Sequence, residues 1–383
     1  MNTFEFHTTK SIIVERGAAT KLAERISDMA CQSVLIITDP GVINAKLLDA
    51  ALAGFAKANI SVAVFKDVIA DPPESVIHDG IHAAKKIAAD VIIGFGGGSS
   101  MDVAKLVALL ATGEQTLTDV YGVNAAKGNR LPLLLVPTTA GTGSEVTAIA
   151  IVTTGENEKK GVVSPILLPD IALLDAELTL GLPSHVTAAT GIDAMVHAIE
   201  AYTSKRLKNP ISDALAKDAL RLLAANIHIA CTQGDNIQAR ENMLLGACLA
   251  GMAFANAPVG GVHALAYPVG ARFHVPHGLS NSLMLNAVLK FNLAAAENLY
   301  AELAKVIYPS AEGSNLHLAN MLISFLQALP AELGIADNLR AVGIAETDLL
   351  DLATDAMKQT RLLINNPREI DFDAALTLYR EAL

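Results

Sequence analysis

The feature that most constrains the fold is an alternation that runs through the first ~180 residues and then stops. Short apolar runs rich in β-branched residues occupy 34–38 (VLIIT), 61–65 (SVAVF), 91–95 (VIIGF) and 133–136 (LLLV). Stretches with helical periodicity lie between them, at 46–59, 74–89 and 100–110. Strands alternating with helices of this length build a parallel sheet covered by helices on both faces. Residues 151–152 and 171–174 read as further strands. From Pro183 onward the pattern is helical, over 186–202, 211–230, 239–254, 279–291, 294–307 and 316–329, and Gly181-Leu182-Pro183 is the natural boundary. The expected architecture is an α/β, Rossmann-like parallel-sheet domain over 1–182 and an all-α domain over 183–383, with a cleft between them.

Composition narrows the classes of function. Of 383 residues, 52% are hydrophobic and 17% charged, which supports large cores and excludes disorder. Acidic residues outnumber basic ones, 39 to 28, for a net charge of −11. That balance argues against nucleic acid or an anionic membrane surface as partner. Residues 243–259 (MLLGACLAGMAFANAPV) are almost uncharged, but they include Asn256 and Pro258 and fall short of the ~20 residues of a membrane span, so a buried helix is expected. The opening residues lack the basic-then-apolar order of a signal peptide. Cys31, Cys231 and Cys248 are too scattered for a disulfide framework and read as small apolar residues. A cytoplasmic protein without membrane or nucleic-acid partners is the expectation.

Three segments carry chemistry. Gly94-Phe-Gly-Gly-Gly-Ser-Ser-Met-Asp-Val-Ala-Lys105 follows a strand and opens a helix. There, backbone N–H groups and the helix dipole can hold a phosphate, although a plain glycine turn accounts for the same residues. Asp39, at the end of the first run, can accept from a ribose hydroxyl and repel a 2′-phosphate, or serve as a turn residue before Pro40-Gly41. Pro137-Thr-Thr-Ala-Gly-Thr-Gly-Ser-Glu-Val-Thr147 is a second loop with hydroxyls and free N–H groups suited to a pyrophosphate or nicotinamide ribose. In the helical region Asp193 and His197 are four apart on one face, and His263 and His277 follow. One carboxylate and three imidazoles suit Fe²⁺ or Zn²⁺, and satisfied core histidines are the competing reading.

Together these residues resemble the iron-dependent (group III) alcohol dehydrogenases, within the dehydroquinate synthase-like fold. GGGSSMDVAK, PTTAGTGSEVT, AATGIDAMVHAIEAY, GVHALAYPVG, PHG and Asn366-Pro367-Arg368 occur in that family's order over essentially the whole chain. The resemblance implies a single catalytic metal, Fe²⁺ or Zn²⁺, at Asp193, His197, His263 and His277. It implies NAD bound by Gly97, Gly98, Ser99 and Asp102, with Asp39 on the adenosine ribose, Thr138, Thr139 and Ser144 in the second loop, and Lys160 near the cofactor ribose. It also implies a homodimer. Tyr267 stands where many members carry a substrate-facing histidine. A tyrosine still donates a hydrogen bond, but with an unperturbed pKa near ~10 it is a poor base at neutral pH. Arg272 is either a substrate-facing cation or a solvated surface residue.

The expected activity is NAD(H)-dependent hydride transfer between a small alcohol or diol and its aldehyde or ketone, with the metal polarising the substrate oxygen. A maleylacetate reductase-like enzyme is the nearest alternative, and Asp193 and the Asp102-containing glycine motif favour the alcohol dehydrogenase branch. A dehydroquinate synthase-like lyase would need a basic pocket for a phosphorylated sugar acid, and few basic residues flank the metal motifs. A non-catalytic NAD- or metal-binding protein is opposed by the intact ligand set.

Overall fold

In a computed structural model that describes residues 3–155 and 158–383, the β-branched runs pair side by side. Strands β1 (Ser11–Val14), β2 (Ser33–Ile37), β3 (Ser61–Phe65), β4 (Val91–Gly96), β6 (Leu133–Pro137) and β9 (Ile171–Leu174) form one sheet in the order β1-β9-β6-β4-β2-β3. Every pairing in it is parallel. Alternation of side chains along the strands divides the core into two layers. Leu35, Ile37, Ile92, Leu133 and Leu135 pack on one face with the Gly98–Leu110 helix. Val34, Ile36, Ile93, Leu134 and Val136 pack on the other with the 22–28 and 49–57 helices. The chain reverses direction across the sheet between β2 and β4, so the carboxyl ends of those strands flank a topological switch point, where open α/β sheets bind ligands.

Some elements differ from expectation, for local reasons. Residues 151–152 belong to β7 (Ile149–Thr154), which lies outside the parallel sheet. β7 pairs antiparallel with β8 (Glu158–Val163), and β8 pairs with β5 (Gly122–Val123) in a separate three-stranded sheet. The helix expected over 46–59 is Asp49–Lys57, and a short helix that was not expected, Pro40–Asn44, precedes it. Asp39 caps the short helix and Pro40 opens it, while Lys46 at φ 58° interrupts the run.

The described chain divides into a unit His7–Gly181 and a unit Leu182–Leu383, which residues 3–6 join. The second is helical: Ser184–Thr203, Pro210–Thr232, Ile237–Asn256, Gly261–Phe273, His277–Ile307 and Asn315–Glu332, with shorter helices after them. The helices expected at 279–291 and 294–307 are one. Asn292, which lies between the two expected runs, is buried and exchanges amide hydrogen bonds of 2.9 and 2.7 Å with Asn366, and the helix continues through it. Gly261–Phe273 contains Pro268, whose missing N–H disguises it as a loop in the sequence. Gly246 in the uncharged stretch lets its helix approach the 210–232 helix: a Cβ there would meet Leu223 at 2.9 Å. No single helix among the described residues is long and apolar enough to cross a membrane, and Ile237–Asn256 and Gly261–Phe273 meet both conditions only as a pair bent by 106°. Cys31 and Cys248 are buried, Cys231 is half-buried, and all three are free thiols.

Candidate metal centre and cofactor loops

Asp193 and His197 project from the Ser184–Thr203 helix, His263 from the first turn of Gly261–Phe273, and His277 opens His277–Ile307. One donor atom from each lies within 4.8 Å of the others. The Nε2 atoms of His197, His263 and His277 are 3.9, 4.0 and 3.8 Å from Asp193 Oδ1. Donors bound at ~2.1 Å to one tetrahedral ion stand about 3.4 Å apart, so the distances to Asp193 are about half an ångström wide, and the four donors close on a single Zn²⁺- or Fe²⁺-sized cation by drawing inward. Asp193, His197 and His263 are buried, while the His277 side chain is 40% exposed. That leaves one side open, as a centre that receives substrate requires. Burial alone would raise the Asp193 carboxyl, but His197, His277, His263 and an Asn281 hydrogen bond together hold it below the usual carboxylate range.

Close packing brings the three helices together. A Cβ on Gly278 would lie 2.6 Å from the Ala189 carbonyl oxygen and 3.3 Å from the Asp193 Cβ, so only glycine lets His277 reach Asp193. A Cβ on Gly261 would collide with Ile370 and with the Asn366 amide, whose Oδ1 accepts from the Gly261 N–H at 3.3 Å. Asn366 thereby seats the start of the His263 helix.

Two residues of this centre were not expected from the sequence. Glu200, seven residues after Asp193 on the same helix, accepts from the Val262 N–H at 2.7 Å through one oxygen. Its other oxygen lies 2.6 Å from His263 Nδ1. A carboxylate there requires the proton on Nδ1 and leaves the Nε2 lone pair aimed at the other donors. Asn281, four residues after His277, places Nδ2 2.6 Å from Asp193 Oδ1, 3.1 Å from His263 Nε2 and 3.2 Å from His277 Nε2. A charged residue at i+7 in an otherwise apolar helix, and a polar one at i+4, were the available signals.

Tyr267 is half-buried beside the cluster, its ring 5.9 Å from that of His277 and 6.4 Å from that of His263. Arg272 is not a substrate-facing cation: its guanidinium bonds Asp355 at 2.5 Å and Asp351 at 3.0 Å. Two carboxylates from the 349–356 helix have taken its charge.

In the other unit, Asp39, Gly97–Ser99 and Thr138–Thr139 follow the carboxyl ends of three adjacent strands, β2, β4 and β6. The 98–110 helix receives no side-chain cap at Gly97, and Gly97, Gly98 and Ser99 are half-buried. A Cβ on Gly98 would meet Thr142 at 2.8 Å, so the two glycine-rich loops pack directly. Asp39 Oδ1 caps the Pro40–Asn44 helix through the Gly41 and Val42 N–H groups, and Oδ2 accepts from Ser100 Oγ at 3.1 Å. Thr138 is buried, with its N–H on the Gly96 carbonyl. Asp102 and Ser144 bond each other at 2.7 Å, and Asp102 also accepts from the Ile151 N–H. Behind them the fully buried Lys105 ammonium donates to Ser144, Thr147 and the Ile149 carbonyl at 2.7–3.0 Å. Asp102 and Ser144 thus tie the loops to each other and to β7. Lys160 lies apart from this cluster on β8, 3.5 Å from Glu158 and over the Tyr121 ring.

Comparison with known proteins agrees with this geometry. A family model described as iron-containing alcohol dehydrogenase matches residues 9–176. A second, the C-terminal model of the Fe-containing alcohol dehydrogenase family, matches 187–383. Long-chain-alcohol dehydrogenase 1 of Geobacillus thermodenitrificans (strain NG80-2) is 38% identical over 92% of this chain and 89% of its own. A crystal structure of 1,3-propanediol oxidoreductase superposes with a TM-score of 0.95 at 34% identity, covering 100% of both chains. Sulfoacetaldehyde reductase from Bifidobacterium kashiwanohense, solved in complex with NAD⁺, superposes with a TM-score of 0.89 at 26% identity over 100% of this chain and 99% of that one. Matched by both models and by relatives along nearly its whole length, the chain belongs to the iron-containing alcohol dehydrogenase family.

Proposed function

We propose that this protein interconverts a small alcohol or diol and its aldehyde or ketone by NAD(H)-dependent hydride transfer, using one divalent metal, Fe²⁺ or Zn²⁺. The observation that carries the reading is the convergence of one carboxylate and three imidazole nitrogens within 4.8 Å, open on the His277 side. Relatives whose names specify a long-chain alcohol, 1,3-propanediol and sulfoacetaldehyde support a hydroxyl–carbonyl pair as the reacting group. When bound, the metal polarises a substrate oxygen as a Lewis acid, and the nicotinamide gives or takes the hydride.

In this reading Asp193, His197, His263 and His277 hold the metal. Asp193, kept ionised by its neighbours, supplies the charge that retains a dication, and Glu200 fixes the tautomer and orientation of His263. Tyr267 faces the substrate and donates a hydrogen bond, since its phenol is a poor base near neutral pH. Unit His7–Gly181 takes NAD. The N–H groups of Gly97, Gly98 and Ser99 receive the pyrophosphate at the helix start. Asp39 meets the adenosine ribose, and Thr138, Thr139, Ser144 and Asp102 shape the second loop. Lys160 reaches toward the cofactor ribose from β8. A cytoplasmic homodimer completes the proposal.

The test is a panel of short alcohols, diols and aldehydes, assayed with NAD(H) and NADP(H) on protein reconstituted separately with Fe²⁺ and Zn²⁺. Metal-dependent NADH oxidation with at least one aldehyde or ketone is expected. Metal-independent turnover, or none with any carbonyl substrate, contradicts the reading.

A further inference from the structure

Asn281 is fully buried one helical turn beyond His277, at the point where the donor atoms converge. Its Nδ2 lies within 3.2 Å of Asp193 Oδ1, His263 Nε2 and His277 Nε2. An amide NH₂ has two hydrogens, so it cannot satisfy all three acceptors at once. The other end of the same amide is in the opposite condition. Asn281 Oδ1 is buried with no hydrogen-bond partner among the described residues. A buried carbonyl oxygen left without a donor loses its hydration with no bond in exchange, so such an atom calls for an explanation.

We propose that Asn281 is a metal-positioning residue that presents Oδ1, rather than NH₂, to the cation held by Asp193 and the three histidines. The amide oxygen and nitrogen are nearly the same size, so a half-turn about χ2 exchanges them without changing the volume of the side chain. Against a cation the exchange gives up the 2.6 Å Nδ2 bond to Asp193 Oδ1, a carboxylate whose charge the cation then neutralises. The NH₂ hydrogens are repelled by positive charge, and Oδ1 gains the electropositive partner that no protein group supplies. The turn breaks no bond to Oδ1, and it carries the NH₂ into the buried position that Oδ1 leaves, so the contact with the cation has to outweigh that desolvation. An added amide oxygen enlarges a carboxylate-and-imidazole set beyond four donors and makes it harder, which favours Fe²⁺ over tetrahedral Zn²⁺. This sequence therefore carries a selectivity element outside the four expected ligands.

The inference rests on the metal reading above, and the experiment separates the two. Co²⁺ affinity and the visible absorption of bound Co²⁺ are measured by chelator competition on the full-length protein, for wild type, Asn281→Asp and Asn281→Leu. Melting of the metal-free proteins is followed in parallel. Removal of the amide in Asn281→Leu is expected to weaken binding by about 10- to 100-fold and to shift the Co²⁺ spectrum toward that of a lower coordination number. Asn281→Asp keeps an oxygen and loses the NH₂, so binding is expected to tighten, by about tenfold, as donor charge rises. If the role were NH₂ donation to Asp193 and the histidines, Asp would weaken binding instead. Weaker binding in Asn281→Asp, or Leu within twofold of wild type with an unchanged spectrum, overturns the inference. Absence of Co²⁺ binding by wild type overturns the metal reading itself. The near-isosteric Asp variant keeps the test decisive if the Leu variant does not fold.

Discussion

At the scale of single residues, the four donors that the fold gathers stood out in the sequence, and the polar residues that hold them did not. Asp193, His197, His263 and His277 are residue types that bind metal, placed in an apolar helical region where such types need a reason. Glu200 and Asn281 look in sequence like ordinary polar positions, because their importance lies in where one oxygen or one amide points. The function of Glu200 can be checked directly. Glu200→Gln presents an amide to His263 Nδ1 and to the Val262 N–H in place of a carboxylate. Metal affinity is expected to fall by about 10- to 100-fold, read by chelator competition. An affinity within twofold of wild type would show that Glu200 only caps the helix. Asp39 was ambiguous between turn and ribose, and the geometry gives it the turn bonds without removing its charge from the end of β2. Asp39→Gly is expected to raise NADP use relative to NAD, with only a few tenths of a kcal/mol lost from the cap. Initial rates with both cofactors measure this, and an unchanged ratio would leave Asp39 a turn residue.

At the scale of elements, the buried strands read clearly because β2, β4 and β6 are covered on both faces and therefore apolar throughout. β1, β5 and β8 were missed: they are short or polar and lie in edge positions or in the small sheet, where tertiary pairing decides. The split expected at Asn292 failed for a similar reason, since its polar side chain answers to Asn366 across the fold. The approach of helices at Gly278 is the most demanding contact of the centre. Gly278→Ala places a Cβ 2.6 Å from a backbone oxygen, so the start of the 277–307 helix must shift. Such overpacking is expected to cost about 1–3 kcal/mol and to lower metal affinity by displacing His277. A melting curve and a metal titration would show both losses, and wild-type values in both would mean the helix end yields freely.

At the scale of the whole molecule, high apolar content with few aromatics reflects a two-faced parallel sheet and an Ala- and Leu-rich helical unit. The change of pattern at Gly181-Leu182-Pro183 made both visible in the sequence. Interior charge was not legible. Lys105, in the helix expected at 100–110, and Glu145, in a segment that reads as a polar loop, are both buried in the sheet unit. Burial pushes the Glu145 carboxyl up to about 7, against a partial offset from Lys105. The folded form therefore binds this proton more tightly than the unfolded chain. Its contribution to stability is complete below the ordinary carboxylate range and is lost as pH rises through 7. Glu145→Gln removes that dependence, and is expected to match wild type near pH ~4 and to melt higher at pH ~8. The gain at pH 8 is on the order of 3 kcal/mol. Equal melting temperatures at both pH values would mean that Glu145 ionises without cost.

The central claim, that one metal at Asp193, His197, His263 and His277 makes this chain an NAD(H)-linked oxidoreductase, is tested most directly by titrating Fe²⁺ into metal-stripped protein. Bound metal and NADH oxidation with a short aldehyde are followed together, in wild type and Asp193→Ala. Turnover rising in proportion to bound metal and saturating at one ion per chain, with both signals lost in Asp193→Ala, is the expected result. Turnover in metal-stripped protein, or full metal binding and activity in Asp193→Ala, would contradict it.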